Sequence, residues 1–255
     1  MTQAPLSDSS LAESIARTAA EVLIATRREF LGGDLRALKD AGDAAAQAHI
    51  AARLAAEASG DAVLSEEAKD SPQRLSAHRV WIIDPLDGTR EFSESRDDWA
   101  VHVALWHDGE LALGAVALGG PDVVLSSATA PPPSPRTGGP LRIAVSRSRP
   151  PEVVNAVAAQ LGATLIPMGS AGAKVGAVVT GEVDAYIHGG GQYEWDSAAP
   201  VTVARAAGLH TSRLDGSPLI YNQANPYLPD LVVSRPEFAA LILDAITHAE
   251  GNASE

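Results

Sequence analysis

Trp81-Ile82-Ile83-Asp84-Pro85-Leu86-Asp87-Gly88-Thr89-Arg90 is the stretch on which the reading of this chain turns. Val80 to Ile83 form an apolar, β-rich run too short for a helix, which predicts a buried strand. A stiff turn ends it. Pro85 fixes its own φ and keeps Asp84 extended, while Gly88 can take a backbone conformation closed to other residues. Asp84 and Asp87 are thereby held close on the turn, with a carbonyl between them, and oxygen ligands of this kind suit a hard divalent cation. Gly88 and Thr89 open a short helix whose first amides are free to hold an anion such as phosphate. An isolated Asp-x-x-Asp-Gly is equally the mark of an ordinary capped turn, so the weight falls on the rest of the chain.

Upstream, residues 62–65 read as a short strand running into Glu66-Glu67, an acidic pair that alone reads as a solvated strand end. Before it come two helices. The first covers about residues 8–30, opened by the capping-box pattern Ser10-Leu11-Ala12-Glu13 and ended by Gly32-Gly33. The second covers about residues 43–59, with Asp43 at its start, where a carboxylate also serves as an ordinary N-cap. Downstream, residues 99–106, 110–118 and 122–127 read as strands, joined at His107-Asp108-Gly109 by a hairpin-type turn into an antiparallel meander.

A Pro/Gly-rich run over residues 130–140 breaks all periodicity. It divides a first half (1–132), a helix pair plus an antiparallel sheet, from an α/β second half (140–255). There, strands at 141–145, 164–166, 183–187 and 231–233 alternate with helices at 151–161, 171–180, 197–207 and 237–249. Gly169-Ser170-Ala171-Gly172-Ala173-Lys174 opens one helix with small residues and free amides, either near a phosphate or as a plain helix start. It is not a Walker A loop. Asp196 stands at another helix N-terminus, where capping alone would explain it, with Pro200 in or just after the first turn. No histidine pair has zinc-helix spacing, and no zinc role is expected.

Composition bounds the rest. The 255 residues are 45% hydrophobic but only 4% aromatic, so Ala, Val and Leu must fill the core. With no cysteine, disulfides and thiolate metal sites are excluded. A net charge of −13 argues against nucleic-acid binding, although metal ions lining an acidic pocket would still let it take an anionic small molecule. No apolar run reaches membrane-spanning length and the first residues carry no secretion pattern, so a cytoplasmic protein is expected.

Taken in order, Asp43, Glu66-Glu67, Asp84-Pro85-Leu86-Asp87-Gly88-Thr89 and Trp195-Asp196-Ser197-Ala198-Ala199 resemble the lithium-sensitive, magnesium-dependent phosphatase superfamily of inositol monophosphatases, fructose-1,6-bisphosphatases and bisphosphate nucleotidases. The resemblance implies a five-layered α-β-α-β-α sandwich with its active site between the halves. Gly88-Thr89-Arg90-Glu91-Phe92, Val145-Ser146-Arg147-Ser148, the Gly169-Ser170 to Lys174 segment and Glu194-Trp195-Asp196 look like the CysQ-type 3′(2′),5′-bisphosphate nucleotidases in particular. Residues 93–99 lack the usual Asn-Gly-Glu-Phe form, and Pro200 stands where the family commonly has Gly.

Carried over residue by residue, the resemblance implies one magnesium on Glu66, Asp84 and the Leu86 carbonyl, a second on Asp84, Asp87 and Asp196, and a weaker third using Glu66. It implies that Thr89, aided by Asp43 and Glu66, orients the attacking water. Asp87, Gly88, Thr89, Ser170 and Asp196 would meet the substrate, and Glu67 would support its neighbour. Arg147 and Lys174 are expected to meet a second phosphate. The expected reaction is hydrolysis of adenosine 3′,5′-bisphosphate to AMP and phosphate, inhibited by lithium and tied to sulfur assimilation. Inositol monophosphatase or fructose-1,6-bisphosphatase activity is the alternative within the superfamily, and a catalytically silent metal or nucleotide sensor the alternative outside it. Oligomeric state is left open, a homodimer being one option.

Overall fold

The computed structural model describes residues 6–30, 33–136 and 138–252. Its first half opens with α1 (Asp8–Glu29) and α2 (Leu35–Glu57). A five-stranded sheet follows, in the order β1 (Ala62–Ser65), β2 (Arg79–Asp87), β3 (Ala100–His107), β4 (Glu110–Leu118) and β5 (Val124–Ser126). The short helix α3 (Thr89–Ser93) leaves the end of β2. The second half has a five-stranded sheet built from β6 (Arg142–Ser146), β7 (Thr164–Met168), β8 (Ala185–Tyr193), β9 (His210–Ser212) and β10 (Tyr227–Ser234), in the order β7-β6-β8-β10-β9. Its helices are α4 (Glu152–Leu161), α5 (Ala171–Thr180), α6 (Glu194–Ala206) and α7 (Pro236–Asn252).

Strand alternation sorts the side chains into layers. Along β2, Trp81 and Ile83 enter a core with Ile15, Leu23 and Ile50 of α1 and α2. Val80 and Ile82 point the other way, into a core with Val175 and Val178 of α5 and Val201 of α6. Tyr186 and Val233 reach that same core from the second sheet, whose opposite face buries Ile143 and Ile187 against Val154 of α4 and Ile242 of α7. The result is the expected α-β-α-β-α stack, and its two halves share the middle helical layer.

Several local expectations are corrected. Ser7, not Ser10, caps α1, accepting from the Ser10 amide at 3.2 Å. The Gly32 stop lies outside the described residues. α2 begins eight residues before Asp43, capped by Asp34 through the Arg36 amide at 2.9 Å, so Asp43 lies inside the helix and is no cap. Gly42, inside this helix, lets it pack closely: a Cβ there would sit 2.9 Å from the Phe92 ring and 3.2 Å from Leu86. The first sheet is not wholly antiparallel. β1 runs parallel to β2, and the crossover that joins them holds a 3-10 turn at Pro72–Ser76. α6 starts at Glu194, which puts Pro200 inside the helix, beyond its first turn.

Candidate metal and phosphate site

The β2–α3 turn is organised around its two aspartates. Asp84 is only 1% exposed. Its Oδ1 accepts the Leu86 amide at 3.0 Å, while Oδ2 is buried without a hydrogen bond, 4.0 Å from His102 Nδ1. Asp87 is buried too, and its Oδ2 accepts the Gly172 amide at the start of α5 at 2.7 Å. Gly88 then turns the chain into α3 with φ of +87°. That is the left-handed region glycine tolerates, and a Cβ there would also lie 3.0 Å from Ser170. Phe92 and Trp99 lock α3 in place, edge to face at 5.5 Å, with the Arg27 guanidinium 4.5 Å above Phe92.

Asp196 arrives from the other half. It is the third residue of α6, and its Oδ2 accepts the Tyr193 amide at 2.5 Å. One carboxylate oxygen from each of Asp84, Asp87 and Asp196 lies within 4.8 Å of the others. Each acid therefore has one oxygen tied to a backbone N–H. Among the described residues no lysine or arginine bonds to any of the three.

Three like charges this close, out of water, resist ionisation. Burial first, then Asp87, Glu66 and Asp196, holds the Asp84 carboxyl well above the usual range. Burial and Asp87 push Asp196 up to about 6. Glu66 follows β1, its amide donating to the Ile83 carbonyl at 3.3 Å. As a residue Glu66 is exposed, yet desolvation of its carboxyl together with the charges of Asp196 and Asp87 raises it to about 7. Asp87 is the exception. Burial would raise it, but His102, the Gly172 amide and Lys174 outweigh that, and its pKa is lowered.

His102 sits against the acid cluster, a neighbour that motif reading did not single out. It is 0% exposed and pairs with Asp84 across β2 and β3. Its Nδ1 donates to the Trp195 carbonyl at 3.0 Å and its Nε2 lies 3.3 Å from Asp87 Oδ2. Burial opposes its charge, but Asp87 and the Trp195 carbonyl prevail, and its pKa is raised. Gly172 makes room for this ring, since a Cβ there would run into Nε2. The available signal was the alternation of β3. Val101, Val103 and Leu105 face α1 and α2, so His102 must face the middle layer.

The remaining expected residues fall around this centre. Asp43 is half-buried, and desolvation plus the charges of Glu67 and Asp40 push it up to about 7. What exposed Glu67 contributes is charge, acting on Asp43 and Glu66. The Leu86 side chain is buried against α1 and α2. Thr89 is half-buried at the first position of α3. Asp87, Gly88, Ser170, Lys174, Tyr193 and Asp196 line one cleft of about 340 Å³. Ser170 caps α5, accepting from the Ala173 amide at 2.9 Å. Lys174 is buried and donates to the carbonyls of Ser170, at 2.8 Å, and Gly169. Arg147 is committed to carboxylates at the cleft edge, donating to Glu91 at 2.9 Å and Glu94 at 2.6 Å.

A set of hard oxygen donors with an unpaired buried carboxylate oxygen at its centre fits a divalent cation. Among the described residues no helix is long and apolar enough to cross a membrane.

The sequence profile of the Inositol monophosphatase family matches residues 8–129 and 140–248. A 3′-phosphoadenosine 5′-phosphate phosphatase of Mycobacterium leprae is 50% identical over 260 residues, spanning 96% of this chain and 95% of that protein. The 3′(2′),5′-bisphosphate nucleotidase CysQ of Escherichia coli K12 is 34% identical over 179 residues, 65% of this chain and 72% of that protein. In structure, CysQ from Bacteroides thetaiotaomicron superposes with a TM-score of 0.76 at 23% identity, covering 89% of this chain and 97% of that one.

Proposed function

This chain belongs to the inositol monophosphatase family, and we propose that within it the chain removes the 3′-phosphate of adenosine 3′,5′-bisphosphate, giving AMP and phosphate. The observation that carries the chemistry is the convergence of Asp84, Asp87 and Asp196 from two halves of the chain. The relative at 50% identity supports the choice of substrate.

A carboxylate cage repels a phosphate dianion unless cations stand between them. Magnesium on Glu66, Asp84, the Leu86 carbonyl, Asp87 and Asp196 would supply that charge and lower the pKa of an attacking water. Lithium would compete for the same oxygens. Thr89 holds the water through its hydroxyl, and Asp43, with its pKa near 7, accepts the proton that Thr89 passes on. Gly42 supports this pairing by seating α2 against Phe92 of α3. The Gly88 and Thr89 amides hold the phosphoryl oxygens in line. His102 and Gly172 fix the angle of Asp87 from the far side. Ser170 and Lys174 border the space left for the second phosphate, and Lys174 brings the buried positive charge. Arg147 joins it only by leaving Glu91 or Glu94. We place the reaction in the cytoplasm and in sulfur metabolism.

The test is phosphate release from adenosine 3′,5′-bisphosphate, inositol 1-phosphate and fructose 1,6-bisphosphate in one magnesium buffer. The nucleotide should be the best of the three. If it is the poorest, the substrate assignment fails while the phosphatase chemistry stands. If none is cleaved, both fail.

A further inference from the structure

Tyr193 ends β8, and its ring lines the same cleft as Asp87 and Asp196 while remaining 45% exposed. Two neighbours brace it. Trp195 stacks on it with centroids 4.7 Å apart and planes 7° from parallel, and Tyr227 meets it nearly edge-on at 5.9 Å and 81°. Tyr227 is Tyr193's register partner across β8 and β10, and is itself 47% exposed. Neither tyrosine belongs to any of the hydrophobic cores. The Tyr193 backbone amide is hydrogen-bonded to Asp196, a contact that places the residue beside the acid cluster and does not involve its ring.

The backbone explains why this aromatic group stands at the cleft. Gln192 pairs with Leu228 and Gly189 with Asp230, so Gly190 and Gly191 oppose Pro229 alone. Such a bulge twists a strand and re-aims the side chains that follow it. Gly190 and Gly191 take φ of +126° and +89°. A Cβ on Gly191 would run into the Tyr227 hydroxyl, so glycine is what lets Tyr227 sit there. Gln192 also lines the cleft, is 7% exposed, and its Nε2 is buried without a partner. A buried amide donor left unpaired is costly, and a ligand bringing an acceptor relieves it.

A flat ring, held from two sides and open on the cleft beside the phosphoryl site, matches the π-face of a nucleobase. A polyol or open-chain sugar phosphate has no such face to offer. We propose that Tyr193, braced by Trp195 and Tyr227, is the platform on which the purine of the substrate stacks, and that it separates nucleotides from polyol phosphates at this site. This rests on the nucleotidase reading above. The acids act on any phosphomonoester, whereas Tyr193 acts only on those carrying a base.

The experiment compares the wild type with Tyr193→Ala and Tyr193→Phe on adenosine 3′,5′-bisphosphate and on β-glycerophosphate, which has no base. AMP binding is measured alongside by tryptophan fluorescence titration, with no turnover. Tyr193→Ala should raise KM for the nucleotide and weaken AMP binding by roughly 10-fold, the usual effect of removing one stacked ring. Its action on β-glycerophosphate should stay within about twofold, and Tyr193→Phe should behave as wild type, because the ring and not the hydroxyl carries the contact. Equal losses on both substrates, or no loss of AMP binding, overturn the platform. Poor nucleotide turnover by the wild type, with AMP binding that still depends on Tyr193, would refute the substrate assignment and leave the platform standing.

Discussion

Replacing Asp43 with asparagine removes a charge that the fold holds unwillingly. Moving a carboxyl from 3.8 to about 7 corresponds to roughly 4 kcal/mol, at about 1.4 kcal/mol per pH unit. Asp43 is only half-buried and one of its repelling neighbours, Glu67, is exposed, so solvent screening brings the expected stabilisation of Asp43→Asn down to roughly 1–2 kcal/mol. The sign follows from proton counting. The folded pKa lies above the unfolded value, so between 3.8 and about 7 the native state binds more protons and loses stability as pH rises. Below that window Asp43 is neutral in both states and the substitution gains almost nothing; above it the gain is complete. For a chain of this size the shift is roughly 2–6 °C in Tm. The assay is a series of thermal melts in chelator from about pH 4 to about pH 8, wild type against variant. Turnover should move the other way, falling by ~10²-fold or more if Asp43 takes the proton from Thr89. A Tm difference that does not change across that pH range, or a variant less stable at the alkaline end, would refute the reasoning.

Three further outcomes are expected. Asp84→Asn should lower turnover by ~10³-fold or more in saturating magnesium, because it removes an oxygen from the centre of the cage; phosphate release that retains about a tenth of wild type would exclude that role. Millimolar magnesium should raise the melting temperature at about pH 8 and fail to do so at about pH 5. Glu66, at about 7, and Asp196, at about 6, are protonated at the lower pH and compete with the metal. Gly172→Ala should destabilise the protein by roughly 1–3 kcal/mol, since the new methyl meets His102 and lies 2.7 Å from the Ala100 side chain, whereas Gly60→Ala, with nothing within 4 Å, should be close to neutral in the same denaturation series.

What could be read from the sequence follows the range of the forces involved. The β2–α3 turn was legible because Pro85, Gly88 and the aspartates act on their own backbone. Most helices and strands were legible from apolar periodicity, and their order implied the layers. α2 was read short because Asp43 has the chemistry of an N-cap, whereas the real cap is Asp34 nine residues earlier; that Gly42 is kept for the Phe92 ring pressed against it shows only in the packing. Asp43, Glu66 and Asp196 carried no local signal beyond ordinary helix ends and acidic turns, and resemblance alone singled them out. His102 was hidden because the pairing of Asp84 with His102 is a matter of strand register, which no single segment encodes. Tyr193 was hidden for the same reason, since the bulge at Gly190 and Gly191 exists only opposite β10.

The acid cage also shows how a protein can hold closely spaced acids in place, with ionisation of Asp84 and Asp196 resisted and His102 beside Asp87. Each of Asp84, Asp87 and Asp196 is fixed by a backbone amide, from Leu86, Gly172 and Tyr193 respectively. A lysine or arginine in those places would neutralise the cluster and compete with the metal, whereas an amide fixes one oxygen and leaves the carboxylate's charge largely intact. The amides come from β2, from the start of α5 and from the entry to α6, so the geometry is set by how the first sheet packs on the middle helical layer. His102 ties the same three elements, reaching Asp87 of β2 beside Gly172 of α5 and the carbonyl of Trp195 in α6. The repulsion within the cage is thus opposed by the core that joins the two halves. A weakening of that core at Gly172 should therefore appear first as loss of metal affinity, and only then as loss of fold.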